Sequence, residues 1–314
     1  MGIFDGGVEV FEIRNLNLKP DGYDGNDIVT GELFMIAKNE LKCRSVSVTL
    51  FGEVRTRWTE YRQNRYYFYK TKSYFAENAL FLLARIRTSS PSGFLQELFQ
   101  ASLVSAENGN VSYTIKGVID RSMAKNREVD LVIMVKGTHD LNRFPELSSP
   151  NTALGASGVS GWCCTKYGNI SAQLHTPKMG FAVGESIQVT ADVGNNSQKA
   201  AVAFSISLIE CANFVAFYCD ERRERSTAAA LATCHIALAV QPREQQRIST
   251  NFIIPANSAA QINSAIIKTN HFLELRAMMN DGEMDGPVCR LPIVIGTVAL
   301  RGNSTGANTT DSPK

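Results

Sequence analysis

One strand–turn–strand sentence is written twice in this chain, and the repeat limits what the chain can fold into. The first copy, GNDIVTGELFMIAKNELKCRSVSVTLFG, starts at Gly25; the second, GESIQVTADVGNNSQKAAVAFSISLIE, starts at Gly184. In each, glycine and an acidic residue open a strand. A polar turn built on asparagine follows, at Asn39 in the first copy and at Asn195, Asn196 and Ser197 in the second. Alternation then resumes, through Val46, Val48 and Leu50 or through Val202, Phe204, Ile206 and Leu208. Side chains point to opposite faces along a strand, so each copy reads as a strand with one buried face. The interval is far longer than the roughly 20–50 residues of a solenoid or propeller unit. Two related β-domains in tandem are expected, a scaffold that works through its surfaces.

Short runs of alternating or β-branched residues fill both halves and end at Gly, Asn, Asp or charged turns. In the first half they are Val8–Ile13, Ile28–Ile36, Val46–Phe51, Tyr66–Phe75, Val111–Ile119 and Glu128–Val135. The second half offers Asn169–Leu174, Ile187–Val193, Val202–Glu210, Ala230–Val240, Gln246–Ile254, Ile262–Leu275 and Val288–Ile295. This spacing predicts an all-β fold of antiparallel sandwiches. Only Phe94–Leu103 has helical periodicity, through Leu95, Leu98, Phe99 and Leu103, and it reads as a short helix or irregular insertion. His139–Gly161 is rich in Ser, Gly and Pro and reads as a linker, and the polar tail after Leu300 reads as disordered. The expected organisation is a first domain over 1–147, a hinge over 148–164, a second domain over 165–300 and a tail over 301–314.

The 32 basic and 30 acidic residues leave a net charge of +2, which gives no global reason to bind nucleic acid. No run approaches the roughly 20 apolar residues of a membrane span. The N-terminus, MGIFDGGVEVFEI, lacks the basic and apolar regions of a secretory signal. Seven scattered cysteines then read as reduced cytosolic thiols.

The sharpest local feature is basic: Arg55, Arg57, Arg62 and Arg65, continued by Lys70 and Lys72, with Trp58, Tyr61, Tyr66, Tyr67 and Tyr69 interleaved. Arg55 and Arg57 fall on one strand face. The run suits an acidic or phosphorylated peptide, which arginine can grip with two hydrogen bonds, or an anionic lipid surface. The plainer alternative is a solvated strand face whose charges protect an edge. Cys163 and Cys164 beside Trp162 lack the second ligand pair of a zinc site and read as the start of a strand. His235 and His271 sit in apolar strands, and no Gly-x-Ser-x-Gly elbow or phosphate loop is present. No catalytic residue, metal or cofactor is assigned. The charge run Asp220–Arg225 reads as a solvated loop between strands, and Gly25, Gly31 and Gly184 as turn positions.

Six motifs in order carry a family resemblance. They are Gly31, LFGEVRTRWTEYR (Leu50–Arg62), YTIKGVIDR (Tyr113–Arg121), HDLNRFPEL (His139–Leu147), GWCCTKYGNISAQLHTPKMGFAVGESIQV (Gly161–Val189) and LPIVIGTVAL (Leu291–Leu300). Together the chain resembles the arrestin-fold proteins and, among them, the α-arrestins or arrestin domain-containing proteins. The resemblance implies two immunoglobulin-like antiparallel sandwiches joined by a hinge. It implies a non-enzymatic cytoplasmic adaptor in endocytosis and receptor trafficking, peripheral to plasma and endosomal membranes. Its partners would be cytoplasmic tails of membrane receptors or transporters, with ubiquitin-ligase or sorting machinery behind them. No two of the ten prolines adjoin, so the Pro-Pro-x-Tyr motif that α-arrestins offer to WW domains is missing from this sequence. The stretch ARIRTSSPSGFLQELFQASLVSAEN also departs from the family pattern. Two alternatives within the same fold stay open: a sorting-coat subunit similar to the retromer's arrestin-like component, and a thioredoxin-binding arrestin working through Cys211 or Cys234.

Overall fold

A computed structural model describes residues 8–301, apart from 21, 24–26, 39–40, 42, 64, 82–107, 122–123, 136–138, 162–164, 257, 259–260, 282 and 285, and apart from the side chains of 73–81 and 283. Gly25, Asn39, the helical reading of Phe94–Leu103, the Trp162-Cys163-Cys164 triplet and the tail beyond Arg301 lie outside the described residues.

The chain is all-β and forms tandem antiparallel sandwiches. The strands are β1 (Val8–Arg14), β2 (Glu32–Ala37), β3 (Ser45–Arg62), β4 (Arg65–Phe81), β5 (Gly109–Asp120), β6 (Arg127–Ile133), β7 (Asn151–Ser160), β8 (Lys166–Thr176), β9 (Gly180–Ala182), β10 (Ser186–Asn195), β11 (Ala201–Tyr218), β12 (Glu221–Ile236), β13 (Gln245–Ile253), β14 (Ile267–Met279), β15 (Glu283–Met284) and β16 (Cys289–Gly296). Two short 3₁₀ turns, Leu141–Arg143 and Pro145–Ser148, precede β7.

The two compact units are each assembled from separate stretches of chain. One comprises Met1–His139, Ile206–Cys234 and Asn257–Glu274. In it β1 pairs with β2, and a second sheet runs in the order β6-β5-β3-β4. β11 meets β4 at Phe217 and Lys70, and β12 lies on β11. Its core gathers Val54, Trp58, Tyr69, Tyr113, Phe214 and Ile267. The alternation of β5, buried at every second residue from Gly109 to Ile119, drives this burial.

The other unit comprises Asp140–Ser205, His235–Ala256 and Leu275–Lys314. A five-stranded sheet in the order β13-β10-β8-β7-β15 faces strands that include β16, which pairs in parallel with β9. Ile170, Leu174, Ile187, Val189, Leu291 and Ile295 fill the core between them.

Both copies of the repeated sentence do the same topological work. The first leaves β2, in the sheet with β1, and enters β3 in the other sheet. The second leaves β10, in the five-stranded sheet, and enters β11, which pairs elsewhere. The asparagine turn of the second copy is therefore a crossing between sheets. In the second copy Asn195 is fully buried and uses every polar atom. Its Nδ2 donates to the carbonyls of Lys199 (2.8 Å) and Val240 (2.9 Å), and its Oδ1 accepts from the amide (2.9 Å) and hydroxyl (2.7 Å) of Ser197. Gly184 adopts φ +80 in the turn ahead of β10, as expected of a glycine there.

Two readings change. The Ser/Gly-rich stretch read as a linker contains β7, paired along its length with β8. Its small residues are packing requirements: a Cβ on Gly155 would stand 2.3 Å from the Val288 carbonyl oxygen. Small side chains erased the alternation that marks other strands. The charge run Asp220–Arg225 is not a loop. The turn is only Cys219-Asp220, both at positive φ (44 and 68), a two-residue reversal of the type that matches strand twist, and Glu221–Arg225 already belong to β12.

Candidate partner-binding face

The basic run sits on the β3–β4 hairpin, whose register is continuous from Val46 opposite Phe81 to Arg62 opposite Arg65. Opposed residues share a face, so this register sorts the run into two sets. Glu53, Arg55, Arg57, Thr59 and Tyr61 lie on one face with Lys72, Lys70, Phe68 and Tyr66 opposite. Val54, Thr56, Trp58, Glu60 and Arg62 lie on the other, with Tyr69, Tyr67 and Arg65. The structure thus brings Arg55 and Arg57 together with Lys70 and Lys72, and separates Arg62 and Arg65 from them.

The second face is covered. Trp58 and Tyr69 stack with ring centroids 5.8 Å apart, and Tyr218 meets Tyr67 and Tyr69 edge-on at 5.4 and 5.9 Å. The Arg225 guanidinium lies 5.7 Å from the Trp58 ring and donates to Asn108 Oδ1 at 2.8 Å. The Thr56 hydroxyl donates to the Val215 carbonyl at 2.6 Å. Trp58 Nε1 donates to Glu60 Oε1 at 3.0 Å, and Arg62 closes on the same carboxylate. Arg62 is therefore largely spent on an internal pair. Arg65 is exposed at the end of this face.

The first face is open. Glu53 is buried and receives both Arg55 and Lys72, the latter at 3.1 Å. Burial works against its ionisation, but the hydrogen bonds from Lys72 and Arg55 outweigh burial and hold the carboxyl below its ordinary pKa. One carboxylate thus serves two cations. Beside them Arg57 and Lys70 stand directly opposite each other and exposed. Neither has a carboxylate within ion-pair distance among the described residues. Like charges opposed across strands cost stability, so an anion laid over this pair would be favoured by both. Tyr61, Tyr66 and Phe68 continue the face as exposed aromatics.

Lys70 was legible as a member of the site once the hairpin turn is placed between Arg62 and Arg65, since the register then sets it opposite Arg57. Tyr218 and Arg225 were not legible, because they come from a hairpin distant in sequence. Of the two histidines, His235 is exposed on β12 and His271 is buried on β14 with Nε2 3.3 Å from Glu210. Among the described residues no group of three His, Cys, Asp or Glu is placed to hold a metal ion, and no helix is long and apolar enough to cross a membrane. Cys211 and Cys234 are half-buried cysteines.

Fold and site together define a double β-sandwich scaffold that presents an open, basic sheet face. Comparison with known proteins gives that scaffold a family. The model of the arrestin (or S-antigen) N-terminal domain matches residues 14–90, and that of the arrestin (or S-antigen) C-terminal domain matches 166–300. Arrestin domain-containing protein 17 of Caenorhabditis elegans is 25% identical over 207 residues, covering 60% of this chain and 48% of its own length. Arrestin domain-containing protein 1 of Mus musculus is 25% identical over 219 residues, covering 67% of this chain and 49% of its own. The chain belongs to the α-arrestin, or arrestin domain-containing, family. It spans about half the length of these curated relatives.

Proposed function

We propose that this chain is a non-enzymatic adaptor that binds cytoplasmic segments of membrane proteins and connects them to endocytic or endosomal sorting. Family membership supports the adaptor class. The observation that supports the mode of binding is the opposed, exposed pair Arg57–Lys70 beside Arg55 and Lys72. Of the four cations there, two share the Glu53 carboxylate and two stand outside it, so the face suits an acidic or phosphorylated peptide. Arg55 and Arg57 offer planar, two-point contacts to carboxylate or phosphate, and Lys70 and Lys72 add point charge. Arg65, exposed at the end of the hairpin, extends the field, and Arg62 adds little because Glu60 neutralises it. Work at the cytoplasmic surface of plasma or endosomal membranes follows from such cargo, and the same cations would add attraction to anionic lipid. Recruitment of a ubiquitin ligase belongs to this reading only as an indirect step.

Binding of matched phosphorylated and unphosphorylated receptor-tail peptides, followed by fluorescence anisotropy over a range of salt, tests it. The phosphorylated peptide should bind more tightly, with affinity falling as salt rises. Arg57→Glu with Lys70→Glu should weaken it by about tenfold or more, since charge reversal replaces attraction by repulsion. Equal binding of both peptides by parent and variant would remove this face from the account.

A further inference from the structure

β12 is an outermost strand: among the described residues β11 is its only strand neighbour. Thr227, Ala228, Ala229 and Ala230 are all exposed, so at its middle the strand is covered on neither face. Across from it, β11 is anchored by buried Ala212, Phe214 and Ala216. Ser226 Oγ donates to Asn213 Oδ1 at 2.6 Å, and the Ser207 and Thr233 hydroxyls meet at 2.9 Å. β12 is thus held in an extended form with one row of backbone amides and carbonyls turned outward.

Such a row is a template for another strand, and proteins guard it with charges, proline or bulges. Two other outermost strands are guarded. β6 carries Arg127, Glu128 and Asp130, and β13 carries Arg247, paired with Asp192. β12 is unguarded between Arg225 and His235, where no residue is charged and none is proline. The strand also resists selecting a foreign sequence, because specificity in strand addition comes from pockets for alternate side chains, and consecutive alanines offer none.

We propose that β12 pairs antiparallel with β12 of a second copy of this chain, about a two-fold axis at Ala230. Ala230 is the midpoint of the uncharged run Ser226–Cys234. With the axis there, Thr227 opposes Thr233 and Ala228 opposes Ala232, the hydroxyl pair being favourable across strands. The charged end of each strand is kept from its own kind: Glu224 faces Ile236 and Arg225 faces His235. Each contact occurs twice, as a two-fold interface requires. The dimer joins two sheets into one and leaves the basic face of β3–β4 to each copy.

Sedimentation velocity over a range of concentration tests this. The chain should move from a mass of 34.4 kDa towards twice that value. Ala230→Lys and Ala230→Glu each set like charges against each other on the axis. Each alone should self-associate at least about tenfold more weakly. An equimolar mixture of the two should regain the dimer, because Lys then faces Glu; that recovery also shows that both variants fold. The proposal is overturned if the parent chain stays at 34.4 kDa throughout. It is equally overturned if either variant dimerises like the parent, or if the mixture remains monomeric. Capture of an unrelated extended peptide by β12 in a chain that stays monomeric would assign the edge to a different partner and also overturn it.

Discussion

The Asn142 side chain reaches across 157 residues of sequence to donate to the Ala299 carbonyl at 2.9 Å. Its Oδ1 accepts from the Arg301 amide at 2.8 Å, while Asp140 pairs as a bridge with Val298. The HDLN motif and the closing LPIVIGTVAL strand, two of the marks of the family, are therefore one structural joint. Leu141, between them, is fully buried. Asn142→Ala removes these two hydrogen bonds and a third, from Nδ2 to Asp140 Oδ1, at a partly exposed site and should cost about 1–2 kcal/mol. Urea denaturation, with the slope unchanged and the midpoint lowered, measures it.

Asp140 gives this joint a pH dependence. The Asn142 side-chain amide (2.8 Å) and backbone amide (2.9 Å) both donate to Asp140 Oδ1, and these bonds lower its pKa. A depressed folded-state pKa contributes stability that is present above the unfolded value, 3.8, and is lost as pH falls through the lower folded value. Asp140→Asn should therefore lower stability near neutrality and flatten the acid limb, the two proteins converging as pH falls through the folded value. Melting temperature measured as pH is lowered from neutrality compares the two proteins.

Asn195 is expected to be the least replaceable polar residue of its turn. Truncation to alanine takes one of two donors from each of the Lys199 and Val240 carbonyls and leaves the Ser197 amide without its acceptor. The expected loss is about 1–3 kcal/mol, because an unsatisfied buried group keeps its desolvation cost. Asn195→Asp keeps the shape but replaces two donors by an acceptor, and should be destabilising too. Chemical denaturation of both variants checks this. The Asn-x-Ser sequence at Asn195 has no access to a glycosyl transferase, since its amide is fully buried.

Gly155→Ala adds a single methyl group, yet that group would meet the backbone of Val288 and the Cα of Cys289, the latter at 2.9 Å. Backbone cannot step aside as a flexible side chain can, so overpacking should cost about 1–3 kcal/mol. Gly184→Ala tests a different cause, since nothing lies near its missing Cβ and only its φ of +80 opposes a side chain. Thermal melts of both variants should show a loss, with the Gly155 change the larger.

Much of this architecture is readable one strand at a time. Period-two alternation located β5, β8, β10 and β16, because each has one face in a core and the other less covered. The same rule missed β7, where Gly155 and its small neighbours pack against backbone and leave no apolar signal. It misread Glu221–Arg225 as loop, because charge alone does not separate an exposed strand from a turn. Of the candidate site, the run of basic residues was legible, but which of them share a face was not, because the β3–β4 register sets it.

What the sequence by itself determined is the alphabet: an all-β chain, a strand–turn–strand sentence written twice, six motifs in order and a run of arginines. These are local properties, set by side-chain alternation and turn chemistry within a few residues. The tertiary structure decided how they combine. Hairpin register placed Arg57 against Lys70 and turned Arg62 onto Glu60. Packing brought Arg225 over Trp58 and Asn142 to Ala299, each pair more than 150 residues apart. Local sequence cannot specify such pairs, because their selection depends on which surfaces can be buried together, and that is settled only when the sheets close on their cores.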